Sequence, residues 1–154
     1  MKIYFIPLIL FGLMNITCSS SSKTKNNIEQ INNKQEIEKI ELTEQTRGTN
    51  RKITFTSNNL KTSVNNNNIS DSEITSSEWV AILKETNKLD LSKISTYQST
   101  TTGRFSDRAL SSKIIISSEE NLYQSSTFDS GNPPAELKNL YNEIQKIIAT
   151  KKSR

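Results

Sequence analysis

The chain contains no histidine and one cysteine, Cys18, among its 154 residues. Without an imidazole, the Ser-His and Cys-His nucleophile pairs, the commonest general base and every histidine metal site are excluded. A single cysteine cannot close an internal disulfide, and once acylated it is not even a free thiol. Aromatic residues make up only 6% and hydrophobic residues 32%, so any core has to be modest. The many serines include no G-x-S-x-G elbow. A serine nucleophile here would need a lysine base, and Ser111 with Lys113, two apart on a strand face, is too slight to define a site.

The charge balance excludes a further class. A pI near 9.2 and a net charge of +4 suggest a polyanionic partner, yet from Glu36 to Arg154 there are 16 basic and 15 acidic residues, a net of +1. The excess sits in Lys2, Lys23, Lys25 and Lys34 and in the tail residues Lys151, Lys152 and Arg154. A phosphate-tracking surface concentrates charge on the folded part, so no nucleic-acid partner is expected.

What is present begins at the N-terminus. Lys2 precedes a twelve-residue apolar run, Ile3 to Met14, which breaks into Asn15-Ile16-Thr17 before Cys18. A spanning helix needs about 20 apolar residues, whereas the apolar part of a secretion signal needs roughly 7 to 15 behind a basic start. Residues 1–17 therefore read as a signal peptide. Cys18 with Ser19 to Ser22 resembles the acylation site of a bacterial lipoprotein, although Asn15 and Thr17 stand where such sites carry an aliphatic and a very small residue. An ordinary cleaved signal beside a cysteine is the alternative, and the missing A-x-A-like exit weighs against it. Residues 18–35, rich in Ser, Asn and Lys, read as a flexible tether with a span of about 20 to 25 Å. A polar helix from Ile28 to Ile40 is the competing reading.

From Glu36 the apolar spacing becomes two. Ile40 and Leu42, then Ile53 and Phe55, then Leu60 and Val64 alternate with polar residues, which predicts three antiparallel strands with one buried face. Thr46–Asn50 and Ser57–Asn59 supply the turns, and Asn65–Asn68 ends the third strand. Thr75-Ser76-Ser77-Glu78 has capping-box spacing, and Trp79, Ile82, Leu83 and Thr86 follow at helical intervals. Trp79, at that place in the stripe, is expected in the core rather than as a ligand platform. Ala109–Ser118 is expected as a central strand with both faces covered at Ile114, Ile115 and Ile116, Glu119-Glu120-Asn121 as a solvated hairpin tip, and Leu122–Phe128 as its partner. Asn132 is the expected N-cap of a last helix carrying Leu137, Leu140, Tyr141, Ile144 and Ile148. The order β-β-β-α-β-β-α over residues 36–150 predicts a single α+β domain, an antiparallel sheet of about five strands with both helices on one face, followed by a basic tail, 151–154.

Four segments together, Thr46-Arg47-Gly48, Leu89–Ile94, Arg104-Phe105-Ser106-Asp107 and Phe128–Pro134, carry a likeness that spans roughly residues 37–147. On them the chain resembles small, functionally uncharacterised lipoproteins of the Bacteroidota with an FDxGNPP-type turn before the C-terminal helix. In that family a histidine commonly follows this aspartate and a glycine the earlier one; here those places hold Ser130 and Arg108. The resemblance implies a lipoprotein and a shared fold, and brings no activity.

The polar residues singled out for a site are Arg47, Arg104, Asp107, Asp129 and Asn132, all in turns where strands end. One reading is a recognition site in which arginines grip a carboxylate or sugar acid; the other is that they cap turns and pin loops. Asp107 and Asp129 as paired carboxylates for glycoside hydrolysis have only Phe105 and Phe128 near them as sugar platforms. No catalytic residue, metal site or cofactor is expected. The sequence points to a monomeric, non-catalytic envelope protein, lipid-anchored through Cys18, that binds an envelope protein or glycan; the alternative is an inhibitor of a secreted or periplasmic hydrolase. The run after Cys18 lacks acidic residues of the kind that mark surface export, which points to the periplasmic side of the outer membrane.

Overall fold

The computed structural model describes residues 36–152, so the signal peptide, Cys18 and the tether lie outside the described residues. Seven strands form one antiparallel sheet: β1 (Ile37–Thr46), β2 (Thr49–Phe55), β3 (Asn59–Val64), β4 (Asn67–Glu73), β5 (Ser111–Ser118), β6 (Leu122–Gln124) and β7 (Phe128–Asp129). Their order is β4-β3-β2-β1-β5-β6, with β7 also on β5. Two helices, α1 (Ser76–Thr86) and α2 (Lys138–Lys152), interrupt and close the chain. The fold is α+β, as the change of period from two to 3.6 requires.

One face of the sheet is apolar. Ile40 and Leu42 on β1, Ile53 and Phe55 on β2 and Ile114 and Ile116 on β5 are at most 1% exposed. Trp79 and Ile82 of α1 and Leu140, Ile144 and Ile148 of α2 pack onto them in a single cluster. Among the described residues every member of that cluster lies between Ile37 and Ile148, and the chain from residue 35 onward forms one compact unit. The helices meet end to start: Lys151 Nζ in the last turn of α2 is 2.9 Å from Glu78 Oε2 in the first turn of α1. Thr75 caps α1 in a complete capping box with Glu78. The other sheet face holds Lys39, Glu41, Thr43, Lys52, Thr54 and Lys113, half-buried or exposed.

Several expectations are corrected. Asn65 and Asn66, with φ of 50° and 67°, do end the third strand, but they turn the chain tightly into a fourth, β4, which the pattern did not predict. Six of the seven residues of β4 are exposed, so no buried face imposed an alternating pattern on its sequence. The middle of the sheet is β1, flanked by β2 and β5; successive side chains on β5 alternate, so Ile115 points away from the core between buried Ile114 and Ile116. The expected strand Leu122–Phe128 breaks in two because Ser125 Oγ accepts the Ile114 amide at 3.0 Å and turns the chain out of the ladder. Asn132 does not cap α2. A 3-10 turn, Ala135–Leu137, intervenes, and the Asn132 amide instead donates to the Asp129 carbonyl at 2.8 Å. Lys151 and Lys152 belong to α2 rather than to a tail.

Candidate functional site

The five singled-out residues gather at one end of the sheet, because β1 position Gln45 pairs with Ser111 and Ser111 pairs with Asp129. Four of them form two separate pairs rather than one pocket, and Asn132 joins the second only through its amide on the Asp129 carbonyl. Arg47 Nε is 3.1 Å from Asp107 Oδ2, with side chains 90% and 47% exposed, a surface pair of little energetic weight. Asp107 itself has φ of 56° and ends the 3-10 turn Gly103–Ser106.

Asp129 is the organising group. Its carboxylate accepts the Gly103 amide at 2.6 Å, the Arg104 amide at 2.9 Å and Arg104 Nη1 at 3.1 Å. It thus caps the start of the 3-10 turn from a strand far along the chain. A Cβ at Gly103 would stand 3.0 Å from Asp129 Oδ2, so any side chain there would push the carboxylate back by a few tenths of an ångström. Burial pushes the Asp129 pKa up, but the Arg104 amide, the Thr101 hydroxyl, the Arg104 guanidinium and the Gly103 amide outweigh it and hold the group at about 2. A carboxylate ionised to that depth cannot be the proton donor that glycoside hydrolysis needs. Arg104 is equally occupied: Nη1 also donates to the Thr101 carbonyl at 2.5 Å, and the guanidinium lies 4.3 Å from the Phe105 ring centre. Of the two expected platforms, Phe128 is buried edge-on against Tyr141, while Phe105 is 76% exposed.

A second polar cluster was not singled out from the sequence. Glu44 continues the buried face of β1 beyond Leu42 and is 1% exposed. Its Oε2 accepts Arg51 Nε at 2.6 Å and also Arg51 Nη2, and its Oε1 accepts the Ser130 hydroxyl at 2.8 Å. The Tyr141 hydroxyl accepts the Gly131 amide at 2.9 Å beside them. The legible signal was a carboxylate at an even spacing from Ile40 and Leu42, where only a paired charge survives.

Arg51 opens onto a groove of about 380 Å³ where the helices leave the β3–β4 part of the sheet uncovered. Its walls are Leu60, Val64, Ile69 and Ile148, and Lys151 and Lys152 of α2 stand over it. Thr62, Ser70 and Ser72 add hydroxyls to the floor. Two other hollows are poorer in chemistry. One, between the helices, is lined by the Glu85–Lys88 and Glu143–Lys146 pairs, and a 170 Å³ hollow is lined by Glu36, Glu119 and Glu120. Among the described residues no group of three side chains is placed to hold a metal ion.

No protein-family model, curated protein or solved structure matches this chain. Among the described residues no helix is long and apolar enough to cross a membrane. The charged turn residues pair with one another, and the groove beside Arg51 is a concave surface that combines apolar walls with cations.

Proposed function

We propose that this is a lipid-anchored protein of the cell envelope whose folded part, residues 36–152, is a non-catalytic binding or scaffold module. The observation that carries the reading is the N-terminal order: a basic start, a twelve-residue apolar run, Cys18, and then a polar stretch of the length of a tether before the first strand. Acylation of Cys18 anchors the domain, and the lack of acidic residues in the stretch directly after it, Ser19 to Ile28, favours the periplasmic face of the outer membrane. The fold lends support through Asp129 and Arg104, whose carboxylate and Nη1 are spent on holding a loop.

The test is mass spectrometry of the native N-terminal peptide. An acylated Cys18 as the first residue is expected, and Cys18→Ala should move the protein from the membrane to the soluble fraction. An intact leader without acyl groups would overturn the reading.

One observation favours the second reading, an inhibitor of a secreted or periplasmic hydrolase. The turn Gly103–Ser106 presents an exposed Phe105 on a loop braced by Asp129, as an inhibitory loop requires. On that reading, envelope hydrolase activity falls when the protein is added and recovers with Phe105→Ala.

A further inference from the structure

We infer that the groove beside β3 and β4 binds a single-chain amphipathic anion, a long-chain carboxylate, with its headgroup at Arg51. This rests on the binding-module reading above and names its ligand class.

Three observations lead there. The first is size: about 380 Å³ lies at the small end of the range for small-molecule sites, roughly 300–1,000 Å³, which suits one alkyl chain and not a folded partner. The second is the make-up of the walls. Leu60 and Ile148 are buried in the core and show the groove only their edges, while Ile69, 63% exposed, forms an apolar lip.

The third is charge. Arg51 reaches the groove with 30% of its side chain exposed, and its guanidinium is aimed by Glu44, a carboxylate 1% exposed. Glu44 engages Nε and Nη2, which leaves Nη1 for a ligand oxygen. A guanidinium fixed in this way loses little freedom on binding and matches a carboxylate in shape. Lys151 is held by Glu78, whereas Lys152 is exposed and, among the described residues, has no carboxylate partner.

The groove is elongated along β3. Arg51 pairs with Val64, while Leu60 pairs with Phe55, four residues further along and thus about 13 Å away. A carboxylate at Arg51 therefore lays its chain past Val64 toward Leu60 and Ile148, under the aliphatic stem of Lys151.

The experiment uses the fragment 36–154, which spans the compact unit and the core cluster of the described residues, with methyl resonances of Val64, Ile69 and Ile148 followed by NMR below the micelle threshold. Dodecanoate is the probe, with dodecylammonium as the same tail with the opposite charge and butyrate as the same headgroup without the tail. Saturable shifts confined to the groove are expected for dodecanoate alone. Arg51→Gln should weaken binding by about 10- to 100-fold, the value of a charged hydrogen bond. Because that change also strands Glu44, two substitutions at exposed positions, Ile69→Asp and Lys152→Glu, carry the same test without touching the core. Each should reduce affinity. Equal binding of dodecylammonium, no saturable shift, or unchanged affinity in both exposed variants would overturn the inference. Cys18 acylation is measured separately, so loss of this ligand leaves the anchoring proposal standing.

Discussion

Glu44 and Arg51 put a charge where the alternation of β1 calls for an aliphatic residue. The carboxylate is desolvated, and it is stable there because Arg51 and Ser130 supply three donors. Burying such a pair gains little over a packed apolar pair, but removing one partner leaves the other charge uncompensated. Glu44→Ala should therefore destabilise the fold by about 3 kcal/mol, whereas the double change Glu44→Leu with Arg51→Met should recover most of that loss. Urea unfolding of the single and double variants checks this; a double variant as unstable as Glu44→Ala would show that the pair contributes more than mutual neutralisation. At this scale the sequence was readable only in part. Asp129 and Arg104 could be named because they stand in turns, but their partners, the Gly103 and Arg104 amides, are backbone groups that no residue pattern marks.

The elements differ in how plainly the sequence writes them. α1 announces itself twice, through Thr75 with Glu78 and through the Trp79–Ile82–Thr86 stripe, and both signals are local. In α2 the stripe is complete, yet the start was misplaced, since the Pro133-Pro134 pair leads first into a 3-10 turn. β4 was illegible for a physical reason: it is held by β3 on one edge and six of its seven residues are exposed, so Asn67–Glu73 needs no apolar face. That architecture has a dynamic consequence. Its ladder is open to water along the free edge, so the amides of β4 should exchange with solvent well before those of Ile40 and Leu42 at the sheet centre. Hydrogen exchange read by NMR or mass spectrometry decides it, and equal protection would mean that the groove face is covered in solution.

For the molecule as a whole, acid is the informative perturbation. Asp129 is lowered from 3.8 to about 2 because the amide and guanidinium donors overcome its burial. Glu78 is also lowered, its partial burial being outweighed by the Thr75 amide and Lys151, and Asp90 is lowered chiefly by its hydrogen bond from Ser92. In each case the unfolded chain takes up its proton first as pH falls. Their stabilisation is fully present above the ordinary carboxylate pKa and, for Asp129, is lost between about pH 4 and pH 2. Asp129→Asn should lower stability at neutral pH and make the loss across that window shallower, as thermal unfolding from pH 2 to pH 7 would reveal. An unchanged acid limb would place the sensitivity elsewhere.

The sequence by itself determined the class of fold, the two helices and four of the seven strands, because period and capping are set by neighbours a few residues apart. The tertiary structure decided how the polar residues divide: Arg104 to Asp129, Arg47 to Asp107, and Arg51 to Glu44 beside a groove. Those pairings depend on strand order and on where two helices stop covering a sheet, and both are settled by contacts between segments far apart in the chain.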